Sequence, residues 1–170
     1  MEIRNTTVYT KNRLLGFNSF TVLRNVAMWV FFSVATALVT ACYILQFFLF
    51  ERSAAISFTF YFIIFFDAVY AFACFLLPII TIKKSKSNNI TVNYIFGEST
   101  FFMSAQTVNG TEKAELPYPN IIKAMESKND IYLYIGKNQA YIVDKSGFTE
   151  GTLDGFKGLI RAKVKNTRLV

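Results

Sequence analysis

A chain of 170 residues with a formal net charge of +7 has room for one or two small domains, and the absence of histidine excludes any histidine-based acid/base set. Its two cysteines, Cys42 and Cys74, both fall in apolar stretches, which suggests neither a disulfide framework nor a zinc site. Apolar residues crowd between positions 26 and 82 while most charges lie outside them, a membrane-like segregation that divides the chain into parts.

In residues 1–25, Ile3 to Tyr9 reads as a short strand. Thr10 to Arg24 reads as an interfacial helix, because Leu14, Phe17, Thr21 and Arg24 share one helical face. Val26 to Phe50 contains no charged residue, and residues 53–82 contain only Asp67. At ~1.5 Å per residue both runs exceed the roughly 30 Å hydrocarbon core, so the lengths predict transmembrane spans over 26–50 and 53–82. Only Glu51 and Arg52 separate them, which makes a tight antiparallel hairpin. Arg4, Lys11, Arg13 and Arg24 precede it and Lys83, Lys84 and Lys86 follow it, so the positive-inside rule predicts a multi-pass inner (plasma) membrane protein with both termini cytoplasmic. Val39-Thr40-Ala41-Cys42 resembles a lipobox, but the long preceding segment and the apolar residues after Cys42 argue against cleavage there.

A carboxylate at mid-bilayer costs ~2.5–3.5 kcal/mol on insertion scales, so Asp67 needs protein around it. Across the hairpin it mirrors Thr36. Ser33, Thr36, Thr40 and Tyr43 form one helical stripe, and Asp67, Tyr70 and Cys74 form another. The expectation is an intramembrane polar cluster of Asp67, Ser33, Thr36, Thr40 and Tyr70 that clamps the hairpin or a homo-oligomer, with a proton-linked role as the alternative. Pro78 removes a backbone donor where the second span ends. The basic linker 83–89 then places Lys83, Lys84 and Lys86 either to orient the helix or to touch anionic lipid.

After the linker the periodicity changes to two. Ile90, Val92, Tyr94 and Phe96 alternate with other residues, as do Phe101, Met103 and Ala105, and Asn109-Gly110 is a strong hairpin-turn signal leading into Thr111 to Leu116. Pro117 and Pro119 break the pattern before Ile121 to Glu126. Ile131 to Ile135 and Ala140 to Val143 form another predicted hairpin, with aromatic residues on one face and aliphatic ones on the other. Leu153, Phe156, Ile160 and Val164 recur at helical spacing behind a cap at Thr152. Strands closed by one C-terminal amphipathic helix make an α+β domain over 90–170.

Tyr118-Pro119-Asn120-Ile121-Ile122-Lys123-Ala124-Met125-Glu126, Ile131 to Ile135 and Gln139 to Phe148 resemble the C-terminal domain of the YcxB-like bacterial membrane proteins. The resemblance implies a transmembrane hairpin followed by a cytoplasmic pleckstrin-homology-like antiparallel β domain capped by a helix. It transfers no catalytic or ligand residues.

Enzyme signatures are missing: there is no P-loop, no G-x-S-x-G and no metal-ligand cluster, so no catalytic residue, cofactor or metal is expected. Basic residues interleaved with Glu115, Glu126 and Asp130 argue against nucleic acid. The Asn-x-Thr sequons at Asn5, Asn89 and Asn109 read as chance matches in a chain with cytoplasmic termini, and Asn109 is better explained by its turn. The expected function is a non-enzymatic membrane protein presenting an interaction or regulatory domain, with Tyr141, Lys145 and Phe148 as the candidate surface for a protein partner. The alternative is a transport- or immunity-type membrane component working through the hairpin and Asp67.

Overall fold

The computed structural model describes residues 2–49, 54–84, 90–107 and 110–169. The chain divides into two compact units, one made of residues 18–84 and one made of 1–17 with 85–170.

In the second of these, alternation of apolar and polar residues produces strands β1 (Ile3–Tyr9), β2 (Ile90–Phe96), β3 (Thr100–Thr107) and β4 (Gly110–Pro117). Gly110 sits at φ 131°, a conformation that glycine adopts readily, at the start of β4. Asn109 of the predicted turn lies outside the described residues. A 3-10 turn at Tyr118–Asn120 absorbs Pro119. It leads to β5 (Lys123–Glu126), β6 (Asp130–Tyr134), β7 (Ala140–Asp144), β8 (Phe148–Glu150), helix α5 (Leu153–Lys163) and a two-residue strand, β9 (Thr167–Arg168). One sheet runs β4-β3-β2-β1-β8 and the other β7-β6-β5-β9. All neighbours are antiparallel except β5 and β9.

β1 pairs with β2 from Ile3 opposite Phe96 to Tyr9 opposite Ile90, so residues 10–89 intervene in sequence between two strands that lie side by side. Thr152 caps α5 by accepting the Gly155 N–H at 3.1 Å. The apolar stripe of α5 enters an aromatic core, where the Phe156 ring lies 4.6 Å from Phe96 and 5.3 Å from Phe148. The predicted division of the β6–β7 hairpin into an aromatic and an aliphatic face does not extend across both strands, because the register sets Tyr141 beside Leu133 and Ile142 beside Tyr132. Helix α1 (Lys11–Leu23) brings Phe17 against Tyr132 and Tyr134, with ring centroids at 5.2 and 5.8 Å, and covers the aromatic face.

The other unit contains α2 (Val26–Leu49), α3 (Ala54–Ala71), a π-helical turn at Phe72–Leu76 and α4 (Leu77–Lys84). Phe32 of α2 stacks on Tyr70 of α3, with centroids 4.5 Å apart and planes 21° apart. Proline at position 78 has no N–H to give and crowds the carbonyl four residues earlier. The backbone widens there, and the Leu77 N–H donates to the Phe72 carbonyl five residues back.

The predicted transmembrane hairpin is corrected by this unit: among the described residues no helix is long and apolar enough to cross a membrane. The second run, charged only at Asp67, is divided by the π turn into an 18-residue and an 8-residue α segment. Its α3 segment covers only about 27 Å before the π turn. The multi-pass inner-membrane location and cytoplasmic termini inferred from those spans fall with them. Counting uncharged residues overlooked the division of the second run into shorter elements.

Candidate functional site

Three residues of β1 turn polar side chains inward at a period of two, an unusual choice for a buried strand face. Asn5 and Thr7 are fully buried. Each of the three meets the backbone of β7. The Tyr9 hydroxyl accepts the Ile142 N–H at 2.8 Å, and the Thr7 hydroxyl accepts the Asp144 N–H at 2.9 Å. The Asn5 amide donates to the Asp144 carbonyl at 2.7 Å. Thr7 then donates to Asn5 Oδ1 at 2.7 Å, and Tyr9 shares a 2.8 Å hydrogen bond with the Tyr94 hydroxyl. Burial pushes both tyrosine hydroxyls above their ordinary range, so they remain neutral at pH 7. β7 is the edge of its sheet, and side chains of β1, instead of a backbone ladder, satisfy that edge.

Next to this seam lies a cluster of half-buried charges. Asp130 and Asp144 stand directly opposite each other in the β6–β7 register. Arg13, from the first turn of α1, bridges them with Nε 2.8 Å from Asp130 Oδ1 and Nη2 2.6 Å from Asp144 Oδ2. Its Nη1 also donates to the Val8 carbonyl at 2.8 Å. Burial pushes the Asp130 carboxyl up against the pull of Arg13. Burial would raise Asp144 as well, but hydrogen bonds from Ser146 and then Arg13 outweigh it and bring that carboxyl below its usual range. Glu126 pairs with Lys145 and, at 3.0 Å, with Lys157. Three cations face three anions, so the cluster has no surplus charge with which to hold an ionic ligand.

The outer face of the five-stranded sheet is different. A concavity of about 590 Å³ opens there across β2, β3 and β4. Phe102, 47% exposed, and Ile95 lie beside Asn93, Ser104, Lys113 and Glu115. The Thr100 hydroxyl donates to Glu115 at 2.9 Å and fixes that carboxylate at the rim.

Of the predicted partner-surface residues, Tyr141 packs inward against Tyr94 and Phe101, Phe148 lies on Phe156, and Lys145 is engaged by Glu126 and by the Lys128 carbonyl. In the helical unit Thr36 and Thr40 share a shallow groove along α2 with Ser33, and the Thr40 hydroxyl donates to the Thr36 carbonyl at 2.8 Å. Asp67 is half-buried, and among the described residues no hydrogen bond joins it to those hydroxyls. Lys86 lies outside the described residues, as do the side chains of Lys83 and Lys84. Asn5, whose Asn-x-Thr pattern is a chance match, is buried in the seam. Thr7, Tyr9 and Arg13 were not singled out by sequence reasoning. The only signal for the first two was the polar alternation within an otherwise β-forming stretch, and Arg13 figured only among the positive charges before the hairpin, with no sign of the two aspartates it bridges.

Fold and site together define an α+β domain of two packed sheets with a closing helix, whose charged cluster is neutralised internally. Residues 96–160 match the family model described as YcxB-like protein, and the chain carries a YcxB-like domain. The match begins at the last residue of β2 and ends within α5, so it leaves out β1 and Arg13. Neither a curated protein nor a solved structure matches the chain.

Proposed function

We propose that this protein is a non-enzymatic interaction module, and that its partner is a protein segment held on the outer face of β2, β3 and β4. The concavity lined by Phe102 carries this reading, because a half-exposed aromatic in a recess on a sheet face is the kind of anchor site that protein partners fill. Its chemistry selects the partner. One lysine and one glutamate at the rim, with an amide and a hydroxyl between them, suit a peptide with an apolar side chain flanked by charges of both signs. A phosphate-bearing ligand would meet the Glu115 carboxylate beside a single cation. The internally paired charges of the Arg13 and Glu126 clusters argue in the same direction, since they leave no surplus charge for catalysis or anion capture.

Crosslinking and co-purification from the native cell should recover a protein that the Phe102→Glu variant loses while its thermal midpoint stays unchanged. Equal recovery by both forms would refute this surface as the docking site.

A further inference from the structure

The outer face of β2, β3 and β4 is laid out in rows. The strand registers set Thr6, Asn93, Ser104 and Lys113 side by side across the sheet, and they set Ile95, Phe102 and Glu115 in the next row along. Residues directly opposite one another project from the same side, so both rows stand on the recessed face. Asn93 Oδ1 accepts the Thr6 hydroxyl at 2.9 Å, which leaves the amide nitrogen as the half of that group that offers donors. Asn93, Ser104 and Lys113 thus present an amide, a hydroxyl and an ammonium together, a row suited to a carboxylate. The second row is an apolar shelf ending in the Glu115 carboxylate that Thr100 holds.

Building on the docking face proposed above, we propose that the partner segment is an amphipathic helix, with an acidic residue on the Asn93, Ser104 and Lys113 row and an apolar and a basic residue one turn further along, on Phe102 and Glu115. The backbones of β2 and β3 are paired on both sides within the sheet, so an extended segment laid over them finds no backbone partners. A helix arrives with its backbone groups already satisfied, and only its side chains have to meet the sheet. The spacing agrees with this. Two residues along a strand span about 6.8 Å, and four residues along a helix span about 6 Å, so an acid at i and the other two residues at i+3 and i+4 match the two rows.

The test selects a library of random peptides on the full-length protein, with the Phe102→Glu form used to discard peptides that bind elsewhere. The surviving peptides should carry an acid with an apolar residue at i+3 or i+4, should gain helical ellipticity on binding, and should lose binding when a proline is placed at their centre. Lys113→Glu should weaken them about tenfold, and exchanging the peptide acid for lysine should recover binding to that variant. Phe102 and Lys113 are both exposed, so neither substitution enters the core. Surviving peptides that tolerate the central proline, or that bind the Lys113→Glu form as well as the wild type, would overturn the helix while leaving the face as a docking site. A selection that yields no peptide dependent on Phe102 would overturn both.

Discussion

Thr7 shows how much a single buried hydroxyl can hold. It accepts from the Asp144 N–H and donates to Asn5 Oδ1, so replacing it by valine leaves a buried donor and a buried acceptor without partners. At ~1–3 kcal/mol for each orphaned group, Thr7→Val should cost roughly 2–6 kcal/mol in denaturant unfolding. A loss below about 0.5 kcal/mol would mean that the seam is solvated in solution. The two aspartates held by Arg13 give opposite pH signatures. The depressed Asp144 carboxyl contributes stability that is present above its unfolded pKa and is lost as pH falls through its lower folded value. The raised Asp130 carboxyl takes up its proton earlier in the folded state than in the unfolded one, so acidification through that range favours folding at this site. In urea titrations across acid pH, Asp144→Asn should therefore lose the steep decline at the most acid end that the wild type shows. A variant that retains this decline would place its source elsewhere.

At the scale of elements, the joints between β1 and its neighbours are tight. The Thr6 N–H donates to the Gly147 carbonyl at 2.8 Å, and a Cβ on Gly147 would collide with the Thr6 carbonyl oxygen. Backbone oxygen cannot step aside as a flexible side chain would. Gly147→Ala should thus push β8 from β1 and cost about 1–3 kcal/mol, read as a lowered thermal midpoint. Helix α5 depends on its buried ring: Phe156→Ala removes the side chain wedged between Phe96 and Phe148 and should cost about 3–5 kcal/mol. Most of these elements were legible. The strands at 90–96 and 100–107 and the helix behind Thr152 appear where the alternation and the cap place them, because period-2 and period-3.6 patterns are set by local side-chain direction. The two-residue β9 was not legible, since its pairing with β5 depends on where α5 releases the chain. The apolar runs over 26–50 and 53–82 misled for a related reason. Hydropathy counts residues along a line and does not register the π turn that divides the second run.

For the molecule as a whole, the N-terminal strand belongs to the same compact unit as residues 85–170. β1 lies between β2 and β8 in one sheet, and its side chains cover the edge of the other. A fragment beginning at residue 90 therefore lacks an interior strand and loses the cover of β7. It should give the narrow amide dispersion of an unfolded chain in NMR, and adding a peptide of residues 1–17 should restore dispersion. A well-dispersed spectrum from the fragment alone would show that β1 is dispensable. The family match over 96–160 is accordingly a recognisable core of the domain and not its full folding unit.

By itself the sequence determined the strands at 3–9, 90–96 and 100–107, the helix behind the Thr152 cap, and the YcxB-like character of residues 96–160. These rest on interactions a few residues apart. Only the tertiary structure decided that β1 joins strands beginning 80 residues later, that Asn5, Thr7 and Tyr9 close an edge, and that Arg13 reconciles two facing carboxylates. Those choices depend on unsatisfied backbone groups and charges that become neighbours only after the sheets have packed, when water is no longer there to satisfy them.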